Sequence, residues 1–218
     1  RFRLNGDPDS YHTALVPAYQ SLNAALAVTV AQELLQERFG LTTEAAHDAC
    51  HRGVSSAYVP ARFEILSKQP VVIRDGGHNP QGALVLSETL QEVFPSRPIH
   101  MILAVMGDKD YSRMVEQFFA GDPHEVRTIY CVAPDAPRAL EPDMLRAFLH
   151  DKLTQLHKQG MIERVPDIRS DLYIHDALAH ALEAAESLAH TDEPELVLAW
   201  GSLYQAGETL AAWQELTQ

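Results

Sequence analysis

Three loops in the sequence combine glycine with polar or charged side chains, and each follows an apolar run typical of a buried strand. The first loop carries His78 and Asn79 behind two glycines, and Pro80 opens the next helix. Adjacent glycines let the backbone approach a ligand, and a proline in the first helical turn leaves other N–H groups facing an anion. Lys109 lies in the second loop and Ser202 in the third. These loops indicate a small-molecule site, although turn preference alone explains any one of them about equally well, and the first loop less well.

Two nucleotide-binding signatures do not occur in the sequence: the phosphate loop GxxxxGK[ST] and a GxGxxG motif after a strand. The sequence therefore predicts that this chain does not anchor a triphosphate by itself. His47 and His51 lie one helical turn apart with Cys50 between them, but no third ligand occurs at a recognisable spacing. We predict exposed helix histidines there and no metal site. Cys131, inside an apolar strand, is predicted to be a buried core thiol.

The elements that must position these loops alternate regularly after residue 70. Each apolar run is followed by an amphipathic segment, which is typical of parallel strands joined by helical crossovers. We therefore predict a doubly wound, mostly parallel α/β sheet, in which ligands bind beyond the carboxyl ends of the strands. The predicted strands cover 71–73, 101–105, 129–132, 162–165 and 196–200. The predicted helices cover about 80–94, 110–120, 141–159 and 174–190, and a final helix follows the last strand.

The first 60 residues follow a different pattern, which predicts a helical hairpin. A helix is expected over 18–38, and a second is expected from the threonines at 42–43 to Arg52 and Gly53. Apolar residues in the first helix recur every four positions: Leu22, Leu26, Val30 and Leu34. A serine-rich connector that ends at Pro60 then predicts a boundary between a domain over 1–60 and a second over 61–218.

Composition narrows the class of ligand. The chain has 218 residues, of which 46% are hydrophobic and 22% charged, with a formal net charge of −13. So acidic a body repels nucleic acids and anionic membranes, and no apolar run approaches the roughly 18 residues of a membrane span. Two cysteines are too few for a disulfide framework. We therefore predict a soluble, cytoplasmic monomer that acts on small molecules, with neither nucleic acid nor membrane as a partner.

Several strings together resemble one family, the folylpolyglutamate synthase/dihydrofolate synthase branch of the Mur ligases. They are Tyr19-Gln20-Ser21-Leu22-Asn23 before an alanine-rich helix, Ala61-Arg62-Phe63-Glu64-Ile65-Leu66, Asp75-Gly76-Gly77-His78-Asn79-Pro80, Met106-Gly107-Asp108-Lys109-Asp110-Tyr111 and Gly201-Ser202-Leu203-Tyr204. The family usually has Gly at position 61, Ala at 77 and His at 19. The resemblance implies that 1–60 is the end of a central ATP-binding domain and 61–218 the C-terminal glutamate-ligase domain of a longer enzyme.

The resemblance also implies an activity and its residues. Such an enzyme uses ATP to convert a dihydropteroate or folate carboxylate into an acyl phosphate, which the amino group of L-glutamate attacks. Asn23 would contact adenine and Arg62 the phosphates, while Asp75 would contact the ribose or hold its loop. His78 and Ser202 would bind glutamate, with His78 and Lys109 as the catalytic residues. Mg²⁺ would be held mainly by a domain outside this chain. The chain by itself would therefore be inactive.

Three alternatives stay open at this point. The domain could belong to a Mur-type ligase that adds amino acids to a cell-wall precursor, although the Arg-Phe-Glu and Asp-Gly-Gly-His-Asn-Pro strings favour the folate branch. It could be a non-catalytic amino-acid-binding module. A dehydrogenase or transferase domain could bind a nucleotide at the same edge, but the missing GxGxxG argues against this. In each case an acidic domain needs a local positive focus for anionic ligands, and Arg62, Arg74 and Lys109 are the predicted sources.

Overall fold

The computed structural model describes residues 1–4, 9–120, 124–171, 173–187 and 195–218. The chain divides into two compact units, Arg1–Pro60 and Ala61–Gln218. Each has its own hydrophobic cluster. Among the described helices, none combines the length and the apolar content that a bilayer-spanning segment requires.

The first unit is built on two helices, α1 (Tyr19–Glu37) and α2 (Thr43–Ser55). Thr42 begins α2 in extended conformation, and its hydroxyl accepts a hydrogen bond from the N–H of Ala45 at 3.2 Å. The small core of this unit consists of Tyr11, Val28, Cys50 and Val54.

The four-residue spacing in α1 marks an exposed face. Leu22 and Leu26 are 74% and 68% exposed, and Val30 and Leu34 are about half exposed. The face that packs on the core instead carries Ala24, Val28, Ala31 and Leu35. Small residues let two helices approach closely, so the packed face is the one with the smaller side chains. The spacing therefore predicted the helix but not its buried side.

The second unit contains one six-stranded sheet in the order β1-β2-β6-β3-β4-β5. Strand β1 pairs antiparallel with β2, and all other neighbours are parallel. This confirms the predicted fold class. The strands are β1 (Glu64–Lys68), β2 (Val71–Asp75), β3 (Ile99–Leu103), β4 (Val126–Cys131), β5 (Asp167–Ser170) and β6 (Leu196–Trp200).

Helices cover both faces of the sheet. The helices are α3 (Pro80–Val93), α4 (Tyr111–Phe118), α5 (Pro142–Lys158), α6 (Ile174–Ser187) and α7 (Leu203–Leu216). One core cluster joins α3, α4 and α5 to the strand side chains of one face, and a second joins α6 and α7 to those of the other. Alternate residues of each central strand enter opposite clusters, which explains the continuous apolar runs. Cys131 is fully buried, as predicted.

One strand prediction is wrong, and one strand was not predicted. Residues 162–165 form no strand; instead Ile162, 3% exposed, packs into the core after α5, and β5 follows at Asp167–Ser170. The sequence pattern also overlooked β1. Both β1 and β5 are edge strands, only partly buried, so they lack the long apolar run that identifies a central strand. The last three positions of the helix predicted at about 174–190, residues 188–190, lie outside the described residues.

Candidate functional site

The predicted loops of the second unit leave the sheet at one edge. β2, β6 and β3 are adjacent and parallel, and their last residues, Asp75, Trp200 and Leu103, pair in register. The loop after β2 leads to α3 on one face, whereas the loop after β6 leads to α7 on the other. Adjacent strands whose connections leave to opposite faces open a crevice at their carboxyl ends, where α/β sheets bind ligands.

Two glycines bring these loops into close contact. A Cβ placed on Gly76 would lie 2.2 Å from Cδ2 of Leu203, the first residue of α7. A Cβ on Gly201 would lie 2.2 Å from the carbonyl oxygen of Ala104, and Gly201 has φ +110°. A side chain at 201 would collide with backbone and push the loops apart, whereas one at 76 would displace the side chain of Leu203. The close approach of the loops after β6 and β3 therefore depends on glycine at 201.

Asp75 is buried and holds two segments of backbone. Its Oδ1 accepts a hydrogen bond from the N–H of Gly77 at 2.6 Å, and its Oδ2 accepts one from Phe63 at 2.7 Å. Burial raises the pKa of this carboxyl group, an effect that the two hydrogen bonds and the nearby charges of Arg62 and His78 oppose. Of the two roles that the sequence suggested, the structure shows Asp75 holding its loop; the ribose contact stays a prediction.

Arg62 lies in a strained turn held from both sides. Its neighbours Ala61 and Phe63 have φ values of +54° and +48°, in the left-handed region that costs a residue with a Cβ about 1–2 kcal/mol. The N–H of Ala61 donates to Glu64 Oε2 at 2.8 Å, and its carbonyl accepts from Gly76 N at 2.8 Å. Such strain persists only where the surroundings enforce it, which is typical of functional sites. It also explains why the resembling family favours glycine at position 61.

His78 uses one ring nitrogen within its own loop. Its Nδ1 lies 3.0 Å from the carbonyl oxygen of Gly76, so in the neutral ring Nδ1 carries the proton and donates it there. Nε2 then carries a lone pair and can only accept. A ligand group that meets Nε2 of this tautomer must therefore supply the hydrogen of the hydrogen bond.

Lys109 is exposed and directly precedes Asp110, the N-cap residue of α4. Asp110 caps that helix, accepting a hydrogen bond from the N–H of Arg113 at 3.1 Å, and Asp108 pairs with Arg138. Among the described residues, no carboxylate lies within ion-pair distance of the Lys109 ammonium group. The two flanking carboxylates are thus used locally, while the ammonium group stays available to a ligand.

Ser202 is 1% exposed and has two partners inside the protein. As the residue that caps α7, its Oγ accepts a hydrogen bond from the N–H of Tyr204 at 3.2 Å. The hydroxyl also donates to Sδ of Met106 at 3.7 Å. The structure thus gives Ser202 a capping role, and the predicted glutamate contact stays a prediction.

Two further residues belong to the scaffold of this edge. Arg74 is 4% exposed; its Nη2 lies 2.7 Å from Glu64 Oε2, and its Nη1 donates to the carbonyl of Ala206 at 2.7 Å. Arg74 is therefore not part of the expected positive focus. Sequence reasoning assigned no role to Glu64, although it lies in the quoted Arg-Phe-Glu string; it neutralises Arg74 and holds Ala61.

Asn23 belongs to the first unit and borders an apolar cavity. Its Nδ2 donates to Oε1 of the buried Gln20 at 3.1 Å. Both side chains line a cavity of about 410 Å³ whose other walls are mainly alanines and larger aliphatic residues of 13–59. An amide pair at the rim of an apolar cavity can accept a flat, hydrogen-bonding ring system.

Comparison with known proteins decides the family. The profile of the family described as "Mur ligase, glutamate ligase domain" matches residues 61–203. The chain belongs to the Mur ligase family. This domain of the family is thus the unit whose crevice, glycines and strained turn are described above, and the doubly wound sheet is its scaffold.

Curated relatives of this Mur ligase chain agree in their names. It is 31% identical over 182 residues to the folylpolyglutamate synthase of Lacticaseibacillus casei, covering 79% of this chain and 40% of that protein. It is 30% identical over 201 residues to a "probable bifunctional folylpolyglutamate synthase/dihydropteroate synthase" of Haloferax volcanii, covering 91% of this chain and 20% of that protein. The chain therefore spans less than half the length of these relatives.

A solved structure shares the fold. The Mycobacterium tuberculosis folylpolyglutamate synthase complexed with ADP superimposes with a TM-score of 0.70 at 24% identity, covering 96% of this chain and 42% of that one.

Proposed function

We propose that this chain carries the glutamate-ligase part of an ATP-dependent ligase that joins L-glutamate to dihydropteroate or a reduced folate through an amide bond. The observation that carries the proposal is that the loops of His78, Ser202 and Lys109 follow the adjacent parallel strands β2, β6 and β3 at one edge of the sheet, in a glutamate ligase domain. The names of the curated relatives support the folate branch of the family. In the same proposal, 1–60 is the end of the central ATP-binding domain and 61–218 the glutamate-ligase domain.

The chemistry requires positioning and charge neutralisation more than a strong acid or base. ATP, when bound, supplies the phosphoryl group that activates the carboxylate as an acyl phosphate. Arg62 would bind phosphate oxygens, because a guanidinium group offers two parallel donors in a fixed plane. Lys109 would supply a positive charge for a carboxylate or the acyl phosphate, and its lack of an ion-pair partner among the described residues supports this role.

His78 and Ser202 would bind glutamate in different ways. The lone pair on Nε2 of neutral His78 suits the amino group, which must lose a proton before it attacks, whereas the doubly protonated ring suits a carboxylate. The hydroxyl of Ser202 would keep accepting from Tyr204 N and would turn its proton from Met106 Sδ to a glutamate oxygen. That exchange is favourable because sulfur is a weak acceptor and a carboxylate a strong one.

ATP and Mg²⁺ fit the described residues unequally. The cavity beside Asn23 and Gln20 has the chemistry of a purine site, which supports the adenine contact of Asn23. Mg²⁺ prefers oxygen ligands, whereas the one candidate metal-ligand group among the described residues, Asp9, His47 and His51, is mainly imidazole. We therefore assign the Mg²⁺ of the reaction to residues outside this group.

Incorporation of radiolabelled glutamate tests the proposal. The 218-residue chain alone should add no glutamate to tetrahydrofolate or dihydropteroate, because its sequence has no phosphate loop. Placed behind the part of the L. casei enzyme that precedes the matched region, it should do so in the presence of ATP and Mg²⁺. Lys109→Ala should abolish this activity, whereas Lys158→Ala, which changes another exposed lysine, should not.

Three outcomes would contradict the proposal. Turnover by the chain alone would overturn its dependence on further residues. A folded chimera that extends only a cell-wall precursor would favour the Mur-type alternative. Binding of L-glutamate in calorimetry, with no turnover by a cooperatively melting chimera, would favour an amino-acid-binding module.

A further inference from the structure

A group of metal-ligand side chains lies in the first unit, apart from every residue assigned above. Asp9, His47 and His51 each offer one ligand atom, and these atoms all lie within 4.8 Å of one another. The histidines are separated by one turn of α2, and Asp9 comes from the segment that precedes α1. Sequence spacing could not supply this third ligand, because Asp9 and His47 meet only through the fold.

The Nε2 atoms of the two imidazoles are close enough together to share a metal ion. Nε2 of His47 and Nε2 of His51 lie 3.2 Å apart. If a zinc ion lay at the usual distance of about 2.0–2.1 Å from both nitrogens, the N–Zn–N angle would be about 100°, close to the tetrahedral value. Histidines at i and i+4 on one helix face are the pairing that zinc helices use. Asp9, which is exposed, would become the third ligand if its carboxylate moved towards the histidines by about 1–2 Å.

The rings are held in this orientation by their surroundings. His51 stacks on the fully buried ring of Tyr11, with centroids 4.0 Å apart, and Phe2 stacks on the same tyrosine at 5.2 Å. A carboxylate oxygen of Asp48 lies 4.0 Å from Nδ1 of His47. A small movement of Asp48 would let it accept a hydrogen bond from Nδ1 of His47, which is the arrangement that outer carboxylates adopt at zinc sites.

The charges and the donor types around the group select the class of ion. The group opens to a cavity of about 500 Å³ that Arg1, Arg3 and Asp48 also line. The negative charges of Asp9 and Asp48 balance the positive charges of the two arginines, so the lining has no net positive charge that would favour an anion. Two imidazoles with one carboxylate suit zinc and its neighbours rather than Mg²⁺ or Ca²⁺.

We propose that His47, His51 and Asp9 form a site for a divalent transition metal of the zinc type, with water in the remaining position. Without the metal, the 3.2 Å contact is a hydrogen bond between the two rings, and metal binding requires the donor ring to carry its proton on Nδ1 instead of Nε2. The site is independent of the proposed ligase activity, since it uses none of its residues.

Metal binding to the 218-residue chain tests the proposal. Calorimetry with Zn²⁺ alone should show one ion per chain, and Co²⁺ should give the visible absorption bands of a four-coordinate site. His47→Gln or His51→Gln should weaken Zn²⁺ binding by at least about a hundredfold, and Asp9→Asn by about tenfold. His150→Gln is the matched control, because His150, like His47, is a helical histidine followed by an aspartate, Asp151.

A loss of stability in a histidine variant would not leave the metal site untested. Asp9 is exposed and outside the helices, so Asp9→Asn tests the site even if a histidine variant melts at a lower temperature. The proposal is overturned if no stoichiometric Zn²⁺ binding occurs, if His47→Gln and His150→Gln bind Zn²⁺ equally well, or if excess Mg²⁺ displaces Zn²⁺.

Discussion

At the carboxyl-terminal edge of the sheet, the buried carboxylate of Asp75 accepts hydrogen bonds from two backbone N–H groups. At the amino-terminal edge, the buried carboxylate of Glu195 lies 2.5 Å from Nε2 of His100 and 2.9 Å from Nε of Arg127. Glu195 is thus paired with side chains that can carry positive charge, whereas Asp75 holds the backbone of two loops. The buried carboxylate serves stability at one edge and shapes the candidate site at the other.

The largest effect should come from breaking the amino-terminal cluster. Glu195→Ala should lower the free energy of unfolding by about 2–4 kcal/mol, because His100 and Arg127 lose a charged partner, although Arg127 keeps access to water. Urea denaturation measures this, with the exposed Glu186→Ala as a control that should stay within about 0.5 kcal/mol. Glutamate affinity of the folded variant should be unchanged; a loss would extend the site to this edge.

Arg62→Lys should show the opposite behaviour. In the active chimera, turnover should fall about a hundredfold, because a lysine cannot reproduce the planar pair of donors. The melting temperature should not change, since the neighbouring backbone atoms, rather than the guanidinium group, make the contacts that hold the turn. Arg52→Lys, at the exposed end of α2, is the control. Normal turnover with a lower melting temperature would make Arg62 structural.

His78→Ala and Ser202→Ala should both raise the KM for glutamate, by about tenfold to a hundredfold, with the KM for ATP little changed. The structure separates them by stability. Ser202→Ala removes the cap of α7 and should also cost about 1 kcal/mol, whereas His78→Ala should cost less. Thr42→Ala removes the equivalent cap of α2 and should leave glutamate affinity intact. If the two site variants keep a normal KM, the shared glutamate site is wrong.

The smallest effect is a difference in pH dependence. Burial lowers the pKa of His100, and Glu195 only partly offsets this, so folding favours the neutral ring. Its contribution to stability is present above the ordinary pKa of about 6.5 and is lost as the pH falls below it, by at most about 1.4 kcal/mol per pH unit. Burial raises the pKa of Asp75, so its contribution is present in acid and lost as the pH rises through that pKa.

Denaturation of the wild type and two variants between pH 4 and 8 checks these signs. Relative to the wild type, His100→Gln should gain stability as the pH falls below about 6.5. Relative to the wild type, Asp75→Asn should lose stability over the most acidic part of the range. Parallel pH profiles in all three proteins would contradict the difference between the two edges.

Sequence predicted the central strands and the site loops because each carries a local signal. Apolar runs identify β2, β3 and β6, and glycine with polar residues identifies the loops that follow them. The edge strand β5 has the sequence Asp-Ile-Arg-Ser, which contains no such run. Ile162 has apolar neighbours in the sequence, but its side chain packs into the core without forming a strand. Meetings between distant segments have no local signal. The contact between Asp75 and Phe63, and that between Asp9 and the helix histidines, therefore became visible only in the fold.

The position of β6 has a consequence for how the chain is made. β6 is synthesised after the other five strands, yet it lies between β2 and β3. Until it leaves the ribosome, the nascent chain can form only a β1–β2 hairpin and a β3–β4–β5 half-sheet, each with an open apolar edge. Such edges pair with other chains. The edges of β2 and β3 that β6 covers therefore stay unpaired from the synthesis of β3 until that of β6.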